Sequence, residues 1–159
     1  MKNLNISRTN SYQTIARLNK SVHELHELHV SLYPKYFKKY NYESIREFFR
    51  RIINHSKFIF LLLEDEEKEI GYAWIEIKDY PPNVFKNAYR SLYVHQISIV
   101  ETQRKKGYGS KLMNYIYELA KEKKIDIIEL EYWFQNERAK GFYKKHGFTK
   151  YKEFVYKEL

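Results

Sequence analysis

The sequence predicts a single α+β domain, in which an antiparallel sheet gives way to a strand–helix–strand crossover. Three observations carry that reading. Two apolar runs, Phe58–Leu63 and Ile70–Lys78, flank a charged turn, the pattern of a hairpin. From Leu92 onward the order becomes strand, helix, strand, short helix and strand, as a crossover requires. The chain has 159 residues, enough for one domain that buries about 68–70% of its unfolded surface.

The elements follow in order. A short polar strand is expected over residues 5–9. A helix is expected over residues 11–32, where Ile15, Leu18, Val22 and Leu25 recur at three- and four-residue steps, and Pro34 closes it. A second amphipathic helix, residues 42–54, carries Ile45, Phe48, Phe49, Ile52 and Ile53 on one side. Phe58–Leu63 is continuously apolar, as suits a strand covered on both faces. Glu64–Glu69 holds six charges in a row and reads as a loop longer than the two-residue optimum. After Pro81-Pro82, a strand of mixed pattern runs over residues 92–100. A helix over 107–123, a strand over 127–133, a short helix over 137–145 and a last strand over 148–156 complete the chain.

Composition excludes some chemistries. With no cysteine there is no disulfide framework, thiolate metal site or cysteine nucleophile. The first residues, MKNLNISRTNSY, lack the apolar stretch of a signal peptide, and no run approaches ~18 apolar residues; the expectation is a soluble, cytoplasmic protein without a membrane partner. The formal charge of +9 invites nucleic acid, a membrane surface or an anionic cofactor. Residues 1–100 carry 15 basic and 11 acidic side chains and residues 101–159 carry 14 and 9, so the excess is dispersed and not held in an arm.

One junction carries chemistry. From Ile97 to Leu112 a strand runs into a basic, glycine-punctuated turn, Arg104-Lys105-Lys106-Gly107-Tyr108-Gly109-Ser110, that opens a helix. Free amides at a helix start, the helix dipole and close backbone approach at Gly107 and Gly109 make an anion cradle. The same spacing also suits a capped helix with a solvated basic entry. It is neither a Walker loop nor a G-x-G-x-x-G turn. A second segment, Asn136-x-x-Ala139-x-x-Phe142-Tyr143 followed by Gly147-Phe148, sets Asn136, Ala139 and Tyr143 on one helix face, with Gly147 as a C-cap.

R-x-x-G-x-G after a strand, then N-x-x-A-x-x-F-Y-x-x-x-G-F about thirty residues on, resembles the GCN5-related N-acetyltransferases (GNAT family). The resemblance is specific over residues 92–150 and loose before that. It implies a GNAT-like single domain, residues 1–159. Its central, mostly antiparallel sheet of six to seven strands is splayed between the fourth and fifth, with about four flanking helices. Acetyl-coenzyme A is implied as co-substrate, with no metal. Its pyrophosphate would lie on the amides of residues 104–110, its pantetheine arm along Ile97 and Ile99, and Asn136 would bond that arm or hold the neighbouring turn. Residues 92–150 would form the cofactor core and residues 1–56 the acceptor-side wall.

The reaction the resemblance implies is direct attack of a primary amine, on a small molecule or peptide, in a ternary complex. Tyr143 is the candidate donor to the departing sulfur; otherwise it packs under the cofactor. His95 is the candidate base. It shares the strand parity of Ile97 and Ile99, and some arylalkylamine-acetylating members carry a strand histidine there. Other members place a glutamate two residues earlier, where Tyr93 stands, and Glu76, Glu131 or a water chain are alternatives. Serine and threonine nucleophiles show no base partner in the sequence.

His23, His26 and His29 stand three apart, so each is rotated by about −60° from the last and the outer two diverge by roughly 120°, unlike the i, i+4 pair of a helical metal site. A nucleic-acid-binding module and a non-catalytic acyl-CoA-binding regulator are the alternatives, but the first leaves the second motif unexplained. A homodimer is compatible with the aromatic C-terminal strand Phe154-Val155-Tyr156.

Overall fold

The computed structural model of the protein describes residues 3–159. Strand β1 (Leu4–Arg8) leads into α1 (Tyr12–Asn19), a 3₁₀ turn (Lys20–Val22), α2 (His23–Leu32) and α3 (Tyr42–Ile52). The hairpin β2 (Phe58–Asp65) and β3 (Lys68–Tyr80) follows, then β4 (Tyr89–Ile99), a second 3₁₀ turn (Glu101–Gln103), α4 (Tyr108–Glu122), β5 (Ile128–Leu130) and α5 (Glu137–Lys145). The sheet order is β1-β2-β3-β4-β5. Pairing is antiparallel from β1 to β4 and parallel between β4 and β5. The α+β class expected from sequence is the class observed. Counting α1 and α2 as one interrupted helix, four helical segments flank the sheet.

Both faces of β2 are covered, which explains its unbroken apolar run. Ile59, Leu61 and Leu63 join Leu112, Met113 and Ile116 of α4 in one core. Phe60 and Leu62 join Ile15, Leu18 and Phe49 of α1 and α3 in the other. Tyr72 is fully buried in the second core, accepting from Asn19 Nδ2 at 2.7 Å and donating to Gln96 at 2.6 Å. That bond accounts for part of a departure from the expected helix over residues 11–32. The helix breaks at Lys20–Val22, where Asn19 turns inward to Tyr72 and the Ser21 carbonyl turns to Arg104.

Three further expectations are corrected. The β2–β3 loop is not long: its two central residues, Glu66 and Glu67, sit at φ 49° and 64°, the left-handed pair of a type I′ turn whose twist matches the flanking strands. The strand over 127–133 contracts to Ile128–Leu130, because Trp133 leaves the sheet to pack on Tyr33 and Phe37, with both centroids at 4.7 Å. The strand over 148–156 does not form. Residues 149–159 are without regular structure, and a three-residue β5 offers too little edge to pair with. The sheet therefore has five strands, not six or seven. Among the described residues, no helix is long and apolar enough to cross a membrane.

Gly71 fixes how closely β3 and β4 approach. A Cβ there would meet the Ser98 carbonyl oxygen at 2.6 Å and Ile99 Cδ1 at 2.7 Å. Backbone cannot yield as a flexible side chain would, so Gly71→Ala is expected to lower stability by about 1–3 kcal/mol, in the range of overpacking, read as a fall in the urea midpoint. An unshifted midpoint would refute the close approach.

Candidate active site

β4 and β5 pair only over Leu92–Val94 and Ile128–Leu130. β4 runs on to Ile99, so its edge from His95 to Ile99 has no strand partner among the described residues. This is the opening expected between the fourth and fifth strands, and its unpaired amides and carbonyls are free to meet an extended ligand. Ile97 and Ile99 pack on the α4-side core beneath it.

The opening leads to the start of α4. Side chains cap the other helix starts that follow a loop: Ser11 on Thr14 N for α1, Asn41 on Ser44 N for α3, Asn136 on Ala139 N for α5. The first turn of α4 has no side-chain cap. Its N-cap is Gly107 at φ 83°, with open space where a Cβ would stand. Lys105, at φ 62°, is also left-handed. The bare amides, the dipole and exposed Lys105 and Lys106 suit an anionic end group.

The remaining residues of this turn are committed to the protein. Arg104 donates from Nε to the Ile99 carbonyl at 3.1 Å and from its guanidinium to the Ser21 carbonyl, so much of its donor capacity is spent internally. Tyr108 is buried and donates to Asp65 at 2.6 Å, leaving only its backbone for a ligand. A Cβ on Gly109 would touch the Phe142 ring at 3.2 Å, so this glycine seats α4 against α5. Ser110 Oγ lies 3.0 Å from His146 Nε2, whose Nδ1 is 3.3 Å from the Tyr117 hydroxyl. A serine with a histidine partner therefore does exist, contrary to the sequence reading, because α5 folds back over α4. Burial, with Lys145 beside it, lowers the His146 pKa.

Tyr143, on α5, packs against the same core as Ile97 and Ile99. Its ring stacks on Tyr132 at 5.9 Å and meets Phe148 edge-on at 5.5 Å. Burial, with a smaller contribution from Tyr117, pushes its hydroxyl up to about 12, so it keeps its proton at any ordinary pH. Asn136 spends Oδ1 on the Ala139 amide at 3.1 Å, so it holds the turn that starts α5.

His95 does not share a face with Ile97 and Ile99. In the β3–β4 register Trp74 faces Gln96 while Ile75 faces Val94, so a bulge at His95 reverses the parity. Leu92 and Val94 before it, and Ile97 and Ile99 after it, all pack toward α4. His95 turns to the other face, stacking on Trp74 at 4.2 Å and bonding from Nε2 to Glu76 at 3.0 Å. Tyr93 stands beside it at 4.8 Å. Burial, then the carboxylates of Glu131, Glu129 and Glu76, push the Tyr93 hydroxyl up to about 12.

Glu129 was not singled out in the sequence. It is buried on β5 and accepts from Tyr89 at 3.0 Å and Tyr151 at 2.6 Å. Burial pushes its pKa up, but the hydroxyl groups of Ser91, Tyr151, Tyr89 and Tyr80 gathered around it outweigh that and hold it below the usual range. The α2 histidines go to separate partners: His23 to Glu27 at 3.4 Å, His26 to the Lys38 carbonyl, and His29 into the aromatic wall against Phe37 at 4.8 Å.

An unpaired stretch of the β4 edge thus runs toward an uncapped, glycine-opened helix start within an α+β fold. A model of the acetyltransferase (GNAT) family matches residues 22–148, and the chain belongs to that family. It is similar to an uncharacterized N-acetyltransferase of Lactobacillus delbrueckii subsp. lactis, with 24% identity over 128 residues, 72% of this chain and 70% of that one. Among solved structures, a tetramutant of the BH1408 protein from Bacillus halodurans has a TM-score of 0.86 at 26% identity, covering 98% of this chain and 99% of its own. An aminoglycoside N-acetyltransferase in complex with CoA has a TM-score of 0.68 at 11% identity, covering 99% and 95%, and shares the fold.

Proposed function

We propose that this protein transfers an acetyl group from acetyl-coenzyme A to a primary amine by direct attack in a ternary complex. The observation that carries this reading is the unpaired β4 edge running into an uncapped, glycine-opened helix, with Tyr143 packed on the same core. The aminoglycoside N-acetyltransferase of the same fold, solved with CoA, supports the cofactor assignment. Acetyl-coenzyme A, when bound, supplies a thioester that the amine attacks, with the thiolate leaving.

The chain's residues divide the remaining work. The edge from His95 to Ile99 pairs with the pantetheine arm, and a β4 amide facing the opening stabilises the carbonyl oxygen. The amides of Tyr108, Gly109 and Ser110 hold the pyrophosphate, with Lys105 and Lys106 adding charge. His95 is the base on the acceptor face. With Glu76 ionised, Nε2 donates to it and Nδ1 keeps the lone pair that takes the ammonium proton. Glu76 and the Trp74 stack hold the ring, which favours a working histidine over a merely packed one. Residues 1–56, with Tyr33 and Phe37 against Trp133, wall the acceptor side, and residues 92–150 form the cofactor core.

The test is a titration with acetyl-coenzyme A followed by an acetylation screen over amines, peptides and aminoglycosides. Saturable binding and release of free thiol are expected. The protein has no cysteine, so a thiol reagent reads coenzyme A without background. Absence of binding at millimolar cofactor would refute the proposal; binding without turnover on any amine would favour an acyl-CoA-binding regulator.

A further inference from the structure

Ser110, His146 and Tyr117 form a hydrogen-bonded chain to which the proposed reaction gives no task. Ser110 Oγ is 3.0 Å from His146 Nε2, and His146 Nδ1 is 3.3 Å from the Tyr117 hydroxyl. All three residues are half-buried. Two features hold the imidazole in place. Helix α5 ends at Lys145, and Gly147, at φ 80°, turns the chain just after His146. The Phe142 ring, one turn earlier, packs on the imidazole with centroids 4.7 Å apart.

Hydrogen-bond chemistry orders the protons along this chain. Burial, with Lys145 beside it, keeps His146 below its ordinary pKa, so at neutral pH the ring carries one N–H. Two arrangements then satisfy both hydroxyls. In the first, Tyr117 donates to Nδ1 and Nε2–H donates to Ser110. In the second, Ser110 donates to Nε2 and Nδ1–H donates to Tyr117. A phenol, with a reference pKa of about 10, is a stronger donor and a weaker acceptor than an aliphatic hydroxyl. The first arrangement is therefore preferred, and it leaves the serine proton free to donate elsewhere. Ser110 is the third residue of α4, beside the bare amides of its first turn, and helical side chains lean toward the N-terminus of their helix. The free proton is thus on the side where an anion would sit. A serine without such a partner returns its proton to a carbonyl one turn earlier.

On the reading of this turn as the pyrophosphate site of acetyl-coenzyme A, on which this rests, we infer that His146, oriented by Tyr117, is a positioning residue that directs the Ser110 hydroxyl to donate to the pyrophosphate. His146 acts through the serine and not on the cofactor itself.

Nitrogen NMR of the imidazole tests the first half in the free protein. A protonated Nε2 and a bare Nδ1 are expected at neutral pH; the opposite tautomer would overturn the inference. Calorimetric titration with coenzyme A tests the second half. Ser110→Ala is expected to weaken binding about tenfold or more, the loss of one hydrogen bond to a charged group. His146→Leu is expected to weaken it about three- to tenfold, as the hydroxyl turns back to its helix. In His146→Gln the side-chain amide keeps a donor near the place of Nε2, and affinity within about twofold of the parent is expected. In the Ser110→Ala background, His146→Leu is expected to cause no further loss. Additive losses, or no rescue by glutamine, would overturn the inference and leave coenzyme A binding in place. Titration with inorganic pyrophosphate separates the two readings. A parent that binds pyrophosphate with the same dependence on His146, but not coenzyme A, would keep the positioning role and refute the proposed acetyl transfer. A parent that binds neither would overturn both.

Discussion

Gly107→Glu is expected to weaken acetyl-coenzyme A binding by tenfold to several hundredfold while leaving the fold intact. A Cβ at this position meets nothing within 4 Å, so the cost in the free protein is the left-handed backbone alone, about 1–2 kcal/mol for an L residue. The carboxylate, however, stands at the mouth of the cradle. Repulsion from one phosphate charge at contact distance is between about 1 and about 4 kcal/mol, depending on how far water screens it. Gly107→Asn is the control, since asparagine tolerates the left-handed region and adds no charge. Calorimetric titration with coenzyme A reads both. Parental affinity in the glutamate variant would move the pyrophosphate away from the α4 start. Equal losses in the two variants would make backbone conformation, and not the anion cradle, the cause.

That experiment rests on a feature plain in the sequence, because a cradle of this kind is local. A strand, a basic turn, two glycines and a helix lie within sixteen residues, and chain connectivity alone brings them together. The start of α5 is local in the same way, with Asn136 capping it through the Ala139 amide three residues on. The features that escaped are those set by register or by distant chain. The bulge at His95 left a trace in the spacing of Leu92, Val94, Ile97 and Ile99, where one interval is three residues and the others are two. That skipped step is the signal for a reversed face, and reading the strand as simply mixed put His95 with Ile97. Gly71 carried no local signal, since its role is a contact with Ser98 and Ile99 across the sheet. The same holds for the Glu129 network, whose donors come from residues 89 and 151, and for Ser110, whose histidine lies on another helix.

The dispersed charge also acquires a structure. The basic excess includes Lys105 and Lys106 at the cradle, whereas the opposite face of the sheet gathers Glu76, Glu129 and Glu131 around Tyr93. Lys78 lies over the Tyr93 ring at 4.4 Å among these carboxylates, so the acidic group is offset in part, an unevenness that a net charge of +9 conceals.

Tyr143→Phe is expected to lower turnover by about a hundredfold, the loss typical of one oriented transition-state donor, and to leave coenzyme A affinity within about twofold. Phenylalanine preserves the stack on Tyr132 and the edge contact with Phe148, so thermal stability is expected to hold. The shift of the hydroxyl to about 12 refines its role. A thiol titrates near 8.5, so complete proton transfer from Tyr143 to the departing thiolate would run uphill by roughly three to four units. In the proposed reaction the hydroxyl would therefore act as a neutral hydrogen-bond donor toward the departing sulfur, with the proton supplied by water. This predicts a further distinction. Because burial keeps the group protonated, the parent's turnover should show no alkaline limb near the tyrosine reference of about 10. A limb there that disappears in Tyr143→Phe would show outright proton donation. Turnover unchanged in the phenylalanine variant would leave Tyr143 as packing beneath the cofactor and remove it from the reaction.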